Sequence, residues 1–405
     1  MHYSLDYKLP DVDNCVYSRA IAGVGILRNS KLLSNYMVGI PFLKKLEMSR
    51  FSLGFFGPKS GKVVGIDIGM FSTKVVQLRY ESERAVLESY GELLNERYFK
   101  GATGVGGGFL RYEDSDLVSL IKDVMTESNI TSRDVIFSIP AASCFVAKII
   151  LPKITPKEVE SAVPFEARKY IPIPISEVIL DWDIMPGSEE QQQTDVLLVA
   201  LPRQVVEKYR RIGTAAGLNV KALEVETFSL VRSLVGHDQT PQAIVNFGYR
   251  TTTLAIVDQG KMRVSHNFDR GSLELTKALE RGLNVNFERA EQIKRDIGLG
   301  ERVEEKEISS IMLPILSALL SQIDRTIDIY NRKAPRKIQK IILTGGGSQL
   351  KGLVELTAST FGIEVARGNP FGRIVSPPFM QPILREIGPY FAVSAGLALR
   401  EISTR

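Results

Sequence analysis

Residues 64–78 read VGIDIGMFSTKVVQL, and residues 243–257 read AIVNFGYRTTTLAIV. The two stretches align without a gap, so that Gly69 matches Gly248 and apolar residues flank both glycines in the same phase. Each stretch predicts a strand, a glycine turn with hydroxyl side chains, and a second strand. The repeat therefore predicts two duplicated lobes whose turns face each other.

The two predicted turns carry groups that suit a polyphosphate. Glycine lets the backbone approach a ligand closely, and small hydroxyls add hydrogen-bond donors. Those hydroxyls belong to Ser72, Thr73, Thr251 and Thr252. Lys74 can place a positive charge on a terminal phosphate, and Asp67 can hold Mg²⁺ through water. Taken alone, Asp67 could equally cap the turn, and Lys74 could be a solvated strand residue.

Two further segments suit a nucleoside. Residues 340–362, KIILTGGGSQLKGLVELTASTFG, predict an apolar strand that runs into a glycine turn, with a helix beginning near Gln349. Glu291 and Lys294 lie three residues apart on one face of a predicted helix, where the alternative is a surface ion pair. Neither the GxGxxG nor the GxxxxGK[ST] spacing fits the glycine turn, which consists of Gly345, Gly346, Gly347 and Ser348.

Other segments predict how the chain is divided. Residues 100–108, KGATGVGGG, predict a flexible loop, and residues 113–129 predict a helix. The stretch 142–223 alternates strands and helices of its own, which predicts an α/β subdomain inserted into the first lobe. Its first helix is predicted to begin at Thr155, with Glu158 completing a capping box.

Composition limits the classes of protein. The 405 residues carry a formal net charge of +5 and are 24% charged, which is typical of a soluble globular protein and gives no reason to expect a nucleic-acid partner. Cys15, Cys144 and three scattered histidines supply neither a disulfide framework nor metal-ligand spacing. Because no run of about 18 apolar residues occurs, no membrane-spanning helix is predicted.

The N-terminal segment has two interpretations. Residues 14–46 contain no Asp or Glu but several Lys and Arg, as in a targeting or membrane-surface segment. Met48 directly precedes a plausible start, which favours an over-extended reading frame instead. We expect residues 1–47 to be poorly ordered, within a non-native extension over 1–54.

Taken in this order, the segments resemble the actin, Hsp70 and sugar-kinase superfamily. DIGMFSTK resembles its first phosphate motif, NFGYRTTT its second, LTGGGSQLKGL its adenosine motif, and GPYFAVSAGLAL (388–399) a connecting helix between lobes. Within the superfamily, residues 55–402 are most similar to the PilM family of type IV pilus assembly proteins, with FtsA as a relative. The stretches 150–184 and 368–371 carry that likeness in detail.

The resemblance implies an actin-like, two-lobed α/β fold built from duplicated ribonuclease-H-like domains, in which the inserted stretch corresponds to subdomain 1C. The expected divisions are the first lobe (1A) at 55–141, subdomain 1C at 142–223, a return helix at 224–241, the second lobe (2A/2B) at 242–388, and a connecting helix at 389–405.

The resemblance also implies ATP and Mg²⁺ between the lobes. Carried over by position, the residues of the first phosphate turn are Asp67, Gly69, Ser72 and Lys74, and those of the second are Gly248, Thr251 and Thr252. Glu291 and Lys294 would contact the ribose and adenine. The nucleoside would lie on Gly345, Gly346, Gly347 and Ser348. The second motif commonly starts with Asp, and here Asn246 stands in that place. An amide cannot supply the negative charge of that Asp. We therefore expect ATP binding to survive, but the sequence identifies no catalytic base for hydrolysis.

The function implied is that of a cytoplasmic scaffold at the inner face of the inner membrane. It would dock the cytoplasmic N-terminal peptide of a PilN-like inner-membrane protein on subdomain 1C and work with other pilus assembly proteins. Homo-oligomer formation, slow ATP hydrolysis and the machine served (pilus, type II secretion or DNA uptake) stay open. The alternatives are an FtsA-like filament protein of cell division, a sugar kinase, and an adaptor that binds no nucleotide.

Overall fold

The computed structural model describes residues 61–81, 84–99, 109–185 and 193–400. The predictions for the N-terminal extension and for the glycine-rich loop at 100–108 lie outside the described residues.

The first lobe is built on a five-stranded mixed sheet. Its strands are β1 (Lys62–Ile68), β2 (Ser72–Glu81), β3 (Arg84–Leu94), β4 (Asp134–Ile139) and β8 (Asn219–Val225), in the order β3-β2-β1-β4-β8. The first three form an antiparallel meander, which contains the predicted pair of strands joined at Gly69. The other two run parallel to β1, which buries the centre of the sheet on both faces.

The second lobe repeats this arrangement. Its strands are β9 (Gln242–Phe247), β10 (Thr252–Asp258), β11 (Lys261–Phe268), β12 (Lys340–Thr344) and β13 (Glu364–Arg367), in the order β11-β10-β9-β12-β13. Asp67 lies opposite Lys74 in the first sheet, and Asn246 lies opposite Thr253 in the second. These pairs occupy equivalent positions in the aligned repeat, which confirms that the lobes are duplicated.

A separate three-stranded antiparallel sheet interrupts the first lobe. Its strands are β5 (Phe145–Pro152), β6 (Val178–Ile184) and β7 (Gln193–Pro202), in the order β5-β7-β6. The helix α2 (Pro156–Ala167) packs Val159 and Val163 onto it, in a hydrophobic core of its own. The capping box at its start is confirmed, since Thr155 and Glu158 exchange side-chain to backbone hydrogen bonds.

The inserted unit ends earlier than the predicted residue 223. The helix α3 (Arg203–Ala215) packs on α1 (Asp114–Glu127), and β8 pairs with β4 in the first sheet. Without β8, the backbone of β4 would be left as an unpaired edge. Residues 203–225 therefore belong to the first lobe, and the inserted sheet covers 145–202.

Two helices connect the lobes. The short α4 (Glu226–Leu230) follows β8 and packs against α9 (Gln381–Ala398), which lies along β1 and β2. The C-terminal helix begins eight residues before the predicted residue 389, because Pro389 is accommodated inside it. The carbonyl of Pro389 accepts the Gly345 N–H at 3.0 Å, which ties this helix to the end of β12.

The second lobe also contains α5 (Ser272–Leu283), α6 (Phe287–Ile297), α7 (Val303–Lys333) and α8 (Leu353–Phe361). By length and composition alone, α7 could cross a membrane, with a mean hydropathy of 1.2 over its most apolar window. One of its faces is buried in the second-lobe core through Met312, Leu316 and Ile323. A core helix passes the same test, so this finding is weak evidence for a membrane span.

We expect Gly65→Ala to destabilise the protein by about 1–3 kcal/mol, the usual cost of overpacking. A methyl group at Gly65 would collide with the carbonyl oxygen of Ser394 and the backbone of Ala398 in α9. The measurement is urea unfolding. Gly61→Ala is the matched control, because nothing lies within 4 Å of a Cβ there. Equal stability of both variants would contradict the close packing of β1 on α9.

Candidate functional site

The two glycine turns have the same geometry. The Gly69 N–H donates to the Ser72 carbonyl at 3.1 Å, and the Gly248 N–H donates to the Thr251 carbonyl at 3.0 Å. A Cβ at either glycine would lie 2.8 Å from that same carbonyl oxygen, so neither turn can accept a side chain there. Because both glycine N–H groups close their own turns, a phosphate would bind the amides that follow them.

The turns face each other across one cleft. The ring centroids of Phe71, in the first turn, and Tyr249, in the second, are 5.0 Å apart. The guanidinium of Arg295 on α6 lies 5.6 Å from the centroid of the Phe71 ring, within the range of a cation–π contact. The arrangement that the sequence repeat predicts is therefore present.

Lys74 and Asp67 lie side by side at the first turn. The Lys74 ammonium donates to the Ser72 hydroxyl at 2.7 Å and lies 3.6 Å from the Glu92 carboxylate. Asp67 accepts a hydrogen bond from the Ser138 hydroxyl at 2.6 Å. Burial raises the pKa of Asp67, and the positive charge of Lys74 partly offsets this. The first turn thus presents one ammonium close to two carboxylates, those of Asp67 and Glu92.

The hydroxyls of Thr73 and Thr252 hold the turns together instead of facing the cleft, which corrects the prediction that they donate to a ligand. Both residues are fully buried. Thr73 donates to the Asn95 side chain at 3.0 Å, and Thr252 donates to the Arg270 carbonyl at 2.7 Å. Asn95 also donates to the Gly69 carbonyl at 2.8 Å. In both lobes, the turn is anchored to the chain leaving the third strand of the sheet.

Glu226 is a site residue that the sequence analysis missed. Its carboxylate accepts the Ala141 N–H at 3.0 Å from the first lobe and the Thr253 hydroxyl at 3.3 Å from the second. Burial and the negative charge of Asp67 raise its pKa to about 7. The only local signal is an acidic residue opening a helix directly after an apolar strand, which is too common to identify a site.

The glycines of the third motif lie beside the second turn. Gly345 adopts a φ of +80°, and a Cβ there would collide with the Asn246 side chain. A Cβ on Gly347 would lie 2.6 Å from the Phe247 ring, and one on Gly346 would lie 3.4 Å from the Tyr390 ring. Gly345 and Gly347 are therefore needed for this turn to pack closely against the end of β9. The Ser348 hydroxyl donates to the Gly345 carbonyl at 2.7 Å.

The helix predicted near Gln349 begins later, which corrects that expectation. Gly346–Gln349 form a single 3-10 turn, and α8 starts at Leu353 after Gly352 in the left-handed region, with a φ of 79°. Because the chain reverses at Gly352, the first turn of α8 is separated from the glycine motif.

Glu291 and Lys294 form a buried pair. The Lys294 ammonium lies 2.6 Å from the Glu291 carboxylate and donates to the Thr276 hydroxyl on α5 at 2.8 Å. Lys294 is only 6% exposed, so the pair is not an ordinary surface ion pair. The pair fastens α6 to α5. The neighbouring Arg295 also forms an ion pair with Glu291, at 2.8 Å, and its guanidinium lies against the Phe71 ring.

The described residues fit a nucleotide with Mg²⁺. The charges of Asp67 and Glu226 both act on the hydroxyl of Tyr209, which makes no hydrogen bond within the part of the chain that the structure describes. An unsatisfied buried hydroxyl beside two carboxylates suits water or a water-bound ion. No three His, Cys, Asp or Glu side chains gather as a metal site among the described residues. Mg²⁺ would therefore depend on phosphate oxygens and water as well.

Known proteins share this architecture. The family model for the type IV pilus assembly protein PilM matches residues 65–402. This chain belongs to the PilM family. A solved PilM–PilN type IV pilus biogenesis complex aligns with a TM-score of 0.72 and 26% identity, covering 85% of this chain and 99% of the other.

More distant relatives agree on the fold of this PilM-family chain. The cell division protein FtsA of Streptococcus pneumoniae serotype 2 (strain D39 / NCTC 7466) is 23% identical over 337 residues, covering 76% of this chain and 67% of FtsA. The ethanolamine utilization protein EutJ of Carboxydothermus hydrogenoformans aligns with a TM-score of 0.52 and 16% identity, covering 88% and 96%. The predicted actin-like, two-lobed fold is confirmed.

We expect Glu226→Gln to flatten the pH dependence of stability in the nucleotide-free protein. In the folded state the pKa of Glu226 is about 7, against an ordinary value of 4.5, so the folded protein keeps this proton at pH values where the unfolded chain has lost it. The wild-type free energy of unfolding therefore falls as pH rises from 4.5 towards 7, by at most about 1.4 kcal/mol per pH unit for this proton. Gln cannot ionise, so the variant loses this component.

The measurement is urea unfolding at pH 5 and pH 8. Glu288→Gln, on the exposed face of α6, is the control and should keep the wild-type slope. An unchanged slope in Glu226→Gln would show that the carboxyl is not held neutral by the cleft.

Proposed function

We propose that this PilM-family chain is an ATP-binding scaffold of type IV pilus assembly, acting in the cytoplasm at the inner membrane. The observation that carries the proposal is the contact between Phe71 and Tyr249. It brings two duplicated glycine turns to one cleft, together with Lys74, Asp67 and Glu226 from three different strands and helices. An adaptor that binds no nucleotide has no need of this combination.

The residues divide the work of holding ATP and Mg²⁺. Lys74 supplies a positive charge for a terminal phosphate. The backbone N–H groups that follow Gly69 and Gly248 donate hydrogen bonds to the phosphate oxygens from both lobes. Asp67 and Glu226 would hold Mg²⁺ through water, and the ion would neutralise phosphate charge. Glu226 is also the group placed to accept a proton from water, because the amide of Asn246 cannot do so.

A pocket of about 360 Å³ lies where the inserted sheet meets the first lobe. Its lining is largely apolar, with one cation, and consists of Phe109, Leu110, Arg111, Ala142, Ser143, Cys144, Phe145, Pro202 and Val205. The solved relative is a complex of PilM with PilN. We assign this pocket as the docking site for the cytoplasmic N-terminal peptide of a PilN-like inner-membrane protein.

Lys74→Ala should weaken ATP binding at least tenfold, a loss of about 1.4 kcal/mol, because it removes the positive charge that faces the phosphate and leaves the Glu92 carboxylate without its cation. Isothermal titration calorimetry measures the affinity. Lys62→Ala is the matched control, since Lys62 forms a similar cross-strand pair with Glu88 at 2.9 Å, at the opposite end of β1. Asp67→Asn should reduce the Mg²⁺ dependence of binding. Unchanged binding in both site variants would reject the nucleotide site.

Leu110→Asp should abolish binding of a PilN-like peptide, because Leu110 is 41% exposed and lines the pocket. Fluorescence polarisation with a labelled synthetic peptide gives the affinity. Ile329→Asp replaces a 53% exposed residue on α7, in the other lobe, and should leave the peptide affinity unchanged. If Leu110→Asp binds the peptide like wild type, the pocket is not the docking site.

A further inference from the structure

The docking pocket and the nucleotide cleft share a wall. The 3-10 turn Ala141–Ser143 follows β4, and its Ala141 N–H donates to Glu226 in the cleft. The next residues of the same turn, Ala142 and Ser143, line the pocket. One short turn therefore has one end bonded to a cleft carboxylate and the other exposed to the docking site.

The helix α3 makes a second connection. Val205 lines the pocket, and Tyr209 lies one helical turn further along. The Tyr209 ring stacks on the Phe109 ring, with centroids 4.3 Å apart and an interplanar angle of 9°. Phe109 also lines the pocket, so any movement of the Tyr209 ring changes the pocket's shape.

The hydroxyl of Tyr209 lies within electrostatic reach of the cleft carboxylates Asp67 and Glu226. Tyr209 is 0% exposed, and its hydroxyl makes no hydrogen bond with the residues that the structure describes. Burial raises its pKa well above the ordinary value, and the negative charges of Asp67 and Glu226 raise it further. A buried hydroxyl without a hydrogen-bond partner destabilises the state that contains it. Water brought in with Mg²⁺ and phosphate would give it a partner.

We propose that Tyr209 is a positioning residue that couples the two sites, so that ATP–Mg²⁺ in the cleft strengthens peptide binding in the pocket. With a partner for its hydroxyl, Tyr209 is fixed, and its stacked neighbour Phe109 is fixed with it. The pocket then pays less ordering cost when the peptide binds. This inference rests on the proposed function. By linkage, the peptide must strengthen ATP binding by the same factor.

The test measures peptide affinity with and without AMPPNP–Mg²⁺ by fluorescence polarisation. The probe is a fluorescein-labelled synthetic peptide that copies the cytoplasmic N-terminal residues of a PilN-like protein from the same genome. In wild type we expect the nucleotide to tighten binding by about fivefold or more. Tyr209→Phe keeps the ring stack and loses only the hydroxyl. Its affinity for the peptide alone should stay within about twofold of wild type, and its affinity for AMPPNP–Mg²⁺ alone should fall, because the hydroxyl gains its partner only in the nucleotide-bound state. The coupling factor should fall to about one.

Two further variants sharpen the result. Tyr80→Phe is the matched control, because it removes another buried tyrosine hydroxyl, which donates to the Ala398 carbonyl away from the pocket. It should keep the wild-type coupling. Phe109→Leu keeps the Tyr209 hydroxyl but loses the stack, and should also lower the coupling factor. The double variant Tyr209→Phe/Phe109→Leu should lower it no further than either single change.

The outcomes separate this inference from the function on which it rests. If wild type binds no AMPPNP or no peptide, the proposed function fails and the coupling fails with it. If wild type binds both, but each independently of the other, the proposed function stands and the coupling is overturned. Full coupling in Tyr209→Phe would overturn the role of its hydroxyl.

Discussion

The contact between Phe71 and Tyr249 is the constraint on which the site depends. Each glycine turn is closed by its own hydrogen bond and anchored to its own sheet, so each lobe is rigid by itself. The cleft exists only because the lobes place these turns opposite each other. The register of β1 against β2 and of β9 against β10 then sets where the groups of the two turns lie.

The cleft is not the only place where the lobes meet. Lys261, in the second lobe, lies 3.8 Å from the Asp183 carboxylate in the inserted sheet. Burial raises the pKa of Asp183, while Lys261 opposes that shift. The inserted sheet is therefore in contact with both lobes. Distance alone does not establish coupling, and the two-ligand affinities decide it.

The features that could be predicted from the sequence are those determined by residues close together in the chain. The hairpin turns at Gly69 and Gly248 and the capping box at Thr155 depend on residues close in the chain, and the structure contains them. Glu226 reaches the cleft only because β8, which it follows, pairs with β4, and no local pattern reveals that pairing. For Thr73 and Thr252, the residue type suggests a ligand contact. Their positions on β2 and β10 instead bury both side chains inside the protein.

The C-terminal helix has a consequence for biosynthesis. Its residues Phe391, Ala395 and Leu397 complete the hydrophobic core of the first lobe, whose other residues come mostly from 63–235. The inserted sheet and most of the second-lobe core need no residue from this helix. A ribosome must therefore synthesise the second lobe and α9 before the first lobe can close. Domains usually fold in the order of their synthesis, but here the core of the first lobe is completed after the second lobe has been synthesised.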